Sequence, residues 1–203
     1  MTDGKISYRS VTDYVDGPNL QDFYAKERLA EEDVILVIRQ LAGALDFCLE
    51  NGIVHRDVKP DNVVIRPTRP VHITLIDFGE SIKVDPRAVE AKTLQQPMGK
   101  RPYRDPETEQ KEGQPKPPLY NYKCDCWSVG VFAYFLLTKK TLFEGKDEEV
   151  AYLNGKPKLS EAAWKGDLKQ AADFIRNLVS LAVDNRMSYK RMLKHPWLNP
   201  KRD

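Results

Sequence analysis

Two short motifs constrain this chain more than any other feature of its sequence. Residues 55–62 read HRDVKPDN and residues 77–79 read DFG, so Asn62 and Asp77 stand 15 positions apart. Between them lie two β-prone runs, which are separated by the turn-rich letters RPTRP. A strand pair formed by these runs would bring both motifs to the same end of one hairpin.

The residue types in the two motifs suit the transfer of a phosphoryl group. Asp57 can orient a hydroxyl group and accept its proton, and Lys59 can neutralise charge on a moving phosphate. Asn62 and Asp77 offer hard oxygen donors of the kind that Mg²⁺ prefers. An aspartate that merely caps a turn would explain Asp57 alone, but it would not explain the basic and amide residues around it.

The two motifs resemble the catalytic loop and the metal-binding loop of eukaryotic-type protein kinases. This resemblance implies that Asp57 is the catalytic base and that Lys59 contacts the transferring phosphate, as in serine/threonine kinases. It also implies that Asn62 and Asp77 hold Mg²⁺ on the phosphates of ATP. His55 is expected to pack under the metal-binding loop and not to act as a base.

Residues 77–107 resemble the activation segment of these kinases. The segment closes with Asp105-Pro106-Glu107, where the family usually has Ala-Pro-Glu. The resemblance implies that Glu107 forms a buried ion pair with Arg186, and loss of one partner of such a pair costs about 3–5 kcal/mol. The unusual Asp105 is expected to affect only the docking of the substrate.

The activation segment contains two further features. Arg56 precedes the catalytic base, and in the family such an arginine can pair with a phosphorylated residue of this segment. Ser81 and Thr93 are the nearest hydroxyl candidates, which phosphosite mapping on active protein would test. The basic residues within 100–104 suit an acidic peptide or a phosphate, although a plain solvated surface would look the same.

The second half of the chain continues the resemblance. Residues 125–130 read DCWSVG and are similar to the opening of the central helix of the family, whose aspartate ties the backbone of the catalytic loop. Taken together, residues 138–198 look most like the calcium/calmodulin-dependent-type group of serine/threonine kinases. The resemblance thus covers essentially the whole chain.

The opening residues resemble the last strand of the kinase N-terminal lobe and the hinge. On this interpretation Thr12 guards the back of the adenine pocket, the backbones of Asp13 and Val15 bind adenine, and Asn19 lies near the ribose. The Gly-rich loop, the strand lysine and the helix glutamate of a complete kinase domain are not found in the sequence.

We therefore expect two parts, a remnant of the N-terminal lobe with the hinge at 1–19 and a catalytic lobe at 20–203. The fold class is α+β, a protein-kinase-like C-terminal lobe that is mainly helical with a few short strands. The periodicity of apolar residues predicts an amphipathic helix at 31–50 and a fully buried central helix at 127–137. Further short elements are predicted for strands at 6–12, 63–65 and 72–76 and for helices at 20–28, 168–182 and 188–194.

Composition excludes several classes of protein. The 32 Lys and Arg residues nearly balance the 30 Asp and Glu residues, so we expect no nucleic-acid partner. The longest apolar run, 129–137, is too short for the roughly 20 residues of a membrane span, and the N-terminus has no apolar signal core. We expect a cytoplasmic or nuclear protein with no membrane partner, in which Cys48, Cys124 and Cys126 are structural thiols.

These features predict a serine/threonine protein kinase that uses ATP and Mg²⁺ and acts on Ser/Thr-containing protein substrates. The alternative is a non-catalytic, one-lobed binding module that regulates by docking. An activating or lobe-completing protein partner fits either alternative. A small-molecule phosphotransferase is the weaker third interpretation, because 102–107 and the central helix resemble protein kinases. The polar, Pro-rich stretch 108–118 is interpreted as a solvated insertion.

Overall fold

The computed structural model describes residues 11–95, 98–108, 119–143, 145, 148, 152 and 168–200. Its helices are α1 (Leu20–Lys26), α2 (Glu31–Glu50), α3 (Lys123–Thr138), α4 (Leu168–Leu178) and α5 (Tyr189–Leu193). Its strands are β1 (Ile53–Val54), β2 (Val63–Arg66), β3 (His72–Leu75) and β4 (Ile82–Lys83). Short 3₁₀ turns cover Pro60–Asn62, Pro106–Thr108, Val183–Asn185 and Pro196–Leu198. The predicted fold class is confirmed, since the described part is mainly helical with a few short antiparallel strands.

Helix α2 has the bounds that the sequence predicted. Its buried side chains recur at steps of three and four residues, so one face packs into the core while the other stays polar. Three acidic residues in its first turn suit the positive end of the helix dipole. Gly52 ends the helix region with φ +71°, and a Cβ there would lie 2.7 Å from the carbonyl oxygen of Val84. The chain can therefore turn into β1 only with glycine at this position.

Helix α3 is the buried centre of the molecule. It begins four residues earlier than the predicted start at Trp127 and is apolar on nearly every side. It packs against α2 and α4. At Gly130 the approach to α4 is close, since a Cβ there would lie 2.8 Å from Leu178 Cβ and 2.9 Å from Val179 Cγ1. The glycine of the DCWSVG motif is thus a packing residue.

Two short sheets lie next to these helices. Strands β2 and β3 pair antiparallel with Val63 opposite Leu75, and β1 pairs antiparallel with β4. The backbone N–H of Ile76 donates to the carbonyl oxygen of Asn62 over 2.9 Å, which closes the open end of the β2–β3 hairpin. The predicted strand pair is confirmed, and it brings the two motifs together.

Some predicted bounds differ from the structure. The helix predicted for 168–182 ends at Leu178, because Arg186 Nε bonds the carbonyl oxygen of Ser180 and the Met187 N–H bonds that of Asn177. The shorter helices α1 and α5 fall within their predicted ranges. Of the strand predicted for 6–12, residues 6–10 lie outside the described part and 11–12 are not in a strand. Residues 109–118 of the predicted insertion also lie outside it.

The burial of the three cysteines agrees with the prediction that they are structural thiols. Cys124 and Cys126 are buried and Cys48 is half-buried, all as free thiols. Burial raises the pKa of all three thiols, so the unreactive protonated form is favoured at neutral pH. Among the described residues, no helix combines the length and the apolar character needed to cross a membrane.

Candidate active site

Asp57 lies at the centre of a compact hydrogen-bonded cluster. Its Oδ2 accepts from Lys59 Nζ at 2.5 Å and from Asn62 Nδ2 at 3.0 Å. The same Asn62 nitrogen donates to the Asp57 carbonyl oxygen at 2.8 Å. All three side chains are buried, and each makes at least one hydrogen bond within the cluster. Residues 57, 59 and 62, which the sequence singled out, therefore form one site.

Asp125 at the start of α3 holds the backbone of this loop. Its Oδ2 accepts from the His55 N–H at 2.9 Å and its Oδ1 accepts from the Arg56 N–H at 2.8 Å. The Tyr189 hydroxyl donates to Oδ2 at 3.4 Å. Burial raises the pKa of Asp125, while the charge of His55 and these hydrogen bonds act in the opposite direction. The buried central helix thus fixes the loop that carries Asp57.

His55 packs where the resemblance implied. Its ring lies 4.9 Å from the ring of Phe78, and its Nε2 is 3.1 Å from the carbonyl oxygen of Ile76. These two contacts support the residues on either side of Asp77. His55 is fully buried and lies behind the loop, so its part in the described structure is to pack and orient.

Asp77 follows directly on the closed end of the hairpin. Its backbone is left-handed, with φ +61°, and its Oδ1 accepts from the Gly79 N–H at 3.2 Å. The carboxylate is exposed, in contrast to the buried Asn62. The hydrogen bond between Ile76 and Asn62 places the two residues at the same end of one hairpin.

The donor set at this end fits Mg²⁺. The amide nitrogen of Asn62 is used on Asp57, so its amide oxygen is the atom that can face a cation. Asp77 adds a carboxylate oxygen, and Mg²⁺ characteristically takes one or two protein oxygens and completes its shell with waters and phosphate oxygens. Among the described residues there is no cluster of three or more His, Cys, Asp or Glu side chains able to hold a metal. Asn62 and Asp77 offer two protein oxygens to an Mg²⁺ ion that would complete its shell with waters and phosphate oxygens.

Arg56 links the loop that carries Asp57 to two other segments. Its backbone is left-handed, with φ +69°. Its Nε donates to the carbonyl oxygen of Glu80 at 2.6 Å, and its Nη1 donates to the Tyr120 hydroxyl at 3.4 Å. Ser81 Oγ donates to the carbonyl oxygen of Phe78 at 2.7 Å, and Thr93 is exposed. Pairing of Arg56 with a phosphorylated Ser81 or Thr93 stays a prediction.

The residues predicted to surround adenine and ribose are exposed or half-buried. Thr12 and Asp13 are exposed and Val15 is half-buried. Asn19 caps α1, because its Oδ1 accepts from the Asp22 N–H at 2.8 Å and its Nδ2 donates to Asp22 Oδ2 at 2.9 Å. A role of Asn19 at a ribose would have to share its amide with this cap. The roles of all four residues stay predictions.

The predicted ion pair between Glu107 and Arg186 is wrong. Arg186 pairs instead with Asp105 through both terminal nitrogens of its guanidinium, one of which lies 3.1 Å from Asp105 Oδ1. The arginine is fixed in place by its bond to the Ser180 carbonyl at 2.6 Å and by the Trp127 ring 5.1 Å away. Asp105, not Glu107, anchors the end of the activation segment in the core.

Glu107 has a different partner. Its Oε1 accepts from Lys92 Nζ at 3.0 Å, so it joins two parts of the activation segment. Asp105 also caps the short turn Pro106–Thr108, since its Oδ1 accepts from the Glu107 N–H at 2.9 Å. Glu107 thus bonds Lys92, while Asp105 bonds both this turn and the buried Arg186.

Sequence analysis missed two residues that shape the site. Tyr120 pairs with Leu94 in an isolated antiparallel bridge, and its hydroxyl meets Arg56. Gly99 has φ +83°, and a Cβ there would lie 2.9 Å from the Arg56 carbonyl oxygen and 3.7 Å from Asp57 Oδ1. A glycine immediately before a basic run was the only signal for this contact. No local pattern marked Tyr120.

Comparison with known proteins gives one consistent result. The model of the protein kinase domain family matches residues 3–198. The calcium/calmodulin-dependent protein kinase cmkB of Emericella nidulans is 31% identical over 199 residues, which cover 95% of this chain and 47% of that protein. Myosin light chain kinase 3 of Rattus norvegicus is 30% identical over 97% of this chain and 24% of its own length. The serine/threonine-protein kinase RAD53 of Saccharomyces cerevisiae is 32% identical over 95% of this chain and 24% of its own length. The chain spans about half or less of the length of these curated relatives.

Proposed function

The chain belongs to the protein kinase family, and from that premise we propose that it transfers the γ-phosphoryl group of ATP to serine or threonine hydroxyls of proteins. One observation carries this proposal. Asp57, Lys59 and Asn62 form a single buried cluster at the end of the hairpin that also carries Asp77. Phosphoryl transfer depends on positioned charges more than on covalent chemistry, and this cluster supplies them.

The cluster assigns a role to each residue. When bound, Mg²⁺-ATP supplies the transferable group, and Asn62 and Asp77 would hold its metal ion through their oxygens. Asp57 orients the substrate hydroxyl and takes up its proton as the hydroxyl oxygen bonds to the γ-phosphorus and ADP leaves. Lys59, with its ammonium 2.5 Å from Asp57 Oδ2, brings positive charge to the same place. This lysine supports serine and threonine as acceptors, as do the relatives that are serine/threonine kinases.

Isothermal titration calorimetry of Mg²⁺-ATP into the full chain tests the first step. We expect binding in the micromolar to low-millimolar range that is lost in Asp77→Ala. Asp85→Ala is the matched control, because Asp85 is an exposed aspartate whose carboxylate bonds the backbone and the side chain of nearby Arg87. Absence of binding at saturating nucleotide, or equal binding by both variants, would contradict the assignment of Asp77.

A non-catalytic binding module is the second candidate function. Val11 and Tyr14 lie beside the predicted adenine-binding residues and are 97% and 88% exposed. Apolar side chains of this size on an open surface are typical of places where a protein partner packs. A lobe-completing or activating protein would cover the side chains of Val11 and Tyr14 in either function. A chain that binds no nucleotide but captures such a partner would favour the second candidate.

A further inference from the structure

Tyr24 joins the end of helix α1 to the end of helix α3. Its hydroxyl donates to the carbonyl oxygen of Leu136, and its ring lies 5.7 Å from the ring of Phe135. The Tyr24 side chain is buried, so both contacts are shielded from water. The C-terminal ends of the two helices are therefore held side by side.

Four basic residues lie at these two helix ends. Lys139 Nζ is 5.5 Å from the centre of the Tyr24 ring. Burial raises the pKa of Tyr24 and the positive charge of Arg28 acts in the opposite direction, so the Arg28 guanidinium also lies near this ring. Lys26 is the last residue of α1, and Lys140 follows Lys139 directly. We name these exposed residues the basic patch, which consists of Lys26, Arg28, Lys139 and Lys140.

The charge of the basic patch is not balanced within the described part of the chain. None of its four cations forms an ion pair with a described carboxylate. The nearest acidic residue in sequence is the exposed Glu27, which sets one negative charge against four positive ones. The negative end of a helix dipole favours cations, but it is equivalent to only about half an elementary charge. The patch therefore keeps a net positive charge toward solvent.

An acidic protein segment fits the basic patch better than a membrane surface does. Carboxylates accept strong, charge-assisted hydrogen bonds from lysine and arginine. Stable binding to a membrane usually combines cations with an apolar group that inserts into the lipid. Among the residues that the structure describes, the exposed large apolar side chains do not belong to the patch, since they are those of Val11, Tyr14, Phe47, Phe78, Leu119 and Leu181.

The basic patch lies far from the proposed site of transfer. Asp125, which holds the loop that carries Asp57, and Lys139 lie near opposite ends of α3. At a rise of about 1.5 Å per residue, they are roughly 21 Å apart. An extended chain advances roughly 3.3–3.6 Å per residue, so about six residues are the fewest that could join the two places.

We propose that the basic patch is a docking site for an acidic segment of the protein substrate, rich in Asp and Glu, that lies about six or more residues from the acceptor hydroxyl. This inference rests on the proposed function, because the docked segment belongs to the substrate of that site. The contact is made by exposed charges, so salt weakens it. It forms before and during transfer alike, so it lowers KM and leaves kcat unchanged.

Three serine peptides of equal length test the basic patch. The first carries four glutamines about ten residues from the serine, the second carries four glutamates there, and the third carries the four glutamates next to the serine. We expect the second peptide to have a KM about tenfold lower than the first and the third at equal kcat, a ratio that corresponds to about 1.4 kcal/mol. Anisotropy of fluorescent versions at low and high salt measures binding without any turnover. Vesicles of phosphatidylcholine and phosphatidylserine in equal parts test the lipid alternative.

The test variant is Arg28→Glu with Lys140→Glu. Its matched control is Lys169→Glu with Arg191→Glu, two exposed basic residues on α4 and α5 that undergo the same change of charge. The milder pair Arg28→Gln with Lys140→Gln serves where charge reversal lowers the melting temperature. We expect the advantage of the second peptide to disappear in both patch variants and to persist in the control.

The outcomes separate this inference from the proposed function. Equal KM for the first two peptides, an equal gain from the third, or an advantage that survives in the patch variants overturns the docking site and leaves the kinase proposal standing. Binding of the second peptide that the patch variants lose, without phosphorylation of any peptide, supports the docking site and contradicts the kinase proposal. Vesicle binding that depends on the patch, without binding of the second peptide, assigns the patch to lipid and overturns the docking site.

Discussion

Asp105 and Arg186 form an ion pair that is almost completely shielded from water, with side-chain exposures of 1% and 0%. The partners are 81 residues apart in sequence, so the pair ties the end of the activation segment to the last third of the chain. The neighbouring pair of Lys92 and Glu107 lies nearer the surface, with exposures of 42% and 20%. The two pairs should therefore contribute very differently to stability.

Replacement of Asp105 by alanine should destabilise the chain far more than replacement of Glu107. Asp105→Ala leaves a buried guanidinium without its counter-ion, which costs about 3–5 kcal/mol. Glu107→Ala removes a partly exposed pair and should cost about 0–1 kcal/mol. Urea unfolding of the two variants measures the difference. A larger loss for Glu107→Ala would show that Glu107 is the true partner of Arg186.

Two glycines in helices should respond to alanine with opposite signs. Gly130→Ala puts a methyl group 2.8 Å from Leu178 Cβ, so overpacking between α3 and α4 should cost about 1–3 kcal/mol. Gly43 in α2 has open space around its Cα, so Gly43→Ala should add up to about 1 kcal/mol through helix propensity. Thermal melts of both variants check this. A stabilising Gly130→Ala would mean that the helices are less closely packed than the structure shows.

Asp125→Asn should disturb the catalytic loop without unfolding the molecule. An amide can accept from only one of the N–H groups of His55 and Arg56, and its own N–H₂ would face the other donor. The buried donor left without an acceptor costs about 1–3 kcal/mol. We expect faster amide exchange at the His55 and Arg56 positions with a folded core. Unchanged protection at both positions would argue against this anchoring role.

The raised pKa of Asp125 determines how the free energy of unfolding changes with pH. Because the folded state holds the proton more tightly than the unfolded state, the stability from this group is greatest at low pH. It falls as pH rises from the unfolded value near 3.8 through the raised folded value. Asp125→Asn should remove this slope from a plot of unfolding free energy against pH. A slope of the same size in the variant would assign it to another group.

Asp57→Asn should abolish transfer while nucleotide still binds. A general base contributes about 10²–10⁴-fold to a rate, and the asparagine keeps the size of the side chain. Lys59→Met should also slow the transfer, because it removes the ammonium beside Asp57. Radiolabel transfer to peptide gives the rate, and calorimetry gives the binding. Loss of binding in Asp57→Asn would instead indicate a collapsed site.

Local features of this chain were predictable from sequence. The apolar spacing and the closing glycine defined α2, because both act within a few turns of one helix. The hairpin between Asn62 and Asp77 was also predictable, since short strands with a turn between them pair locally. These local rules were enough to assemble the residues around Asp57.

Contacts over long sequence distances were harder to predict. The position of Glu107 in its motif predicted that it would pair with Arg186. The actual partner, Asp105, is only two residues from Glu107. The short turn between them gives side chains no fixed period from which their directions could be predicted. The hydrogen bond from Arg56 to Tyr120 spans 64 residues and follows no spacing rule. Which of several polar side chains reaches a buried partner is decided by packing, and a local pattern does not encode it.

Arg56 and Asp77 share a left-handed backbone that only glycine adopts without strain. Each such position costs of the order of 1–3 kcal/mol. Arg56 directly precedes Asp57, the proposed base, and Asp77 is itself proposed to hold the metal ion. A library of variants sorted only for resistance to heat would therefore be expected to accumulate changes at these two positions. At these two positions, changes that raise thermal stability should therefore lower the catalytic rate.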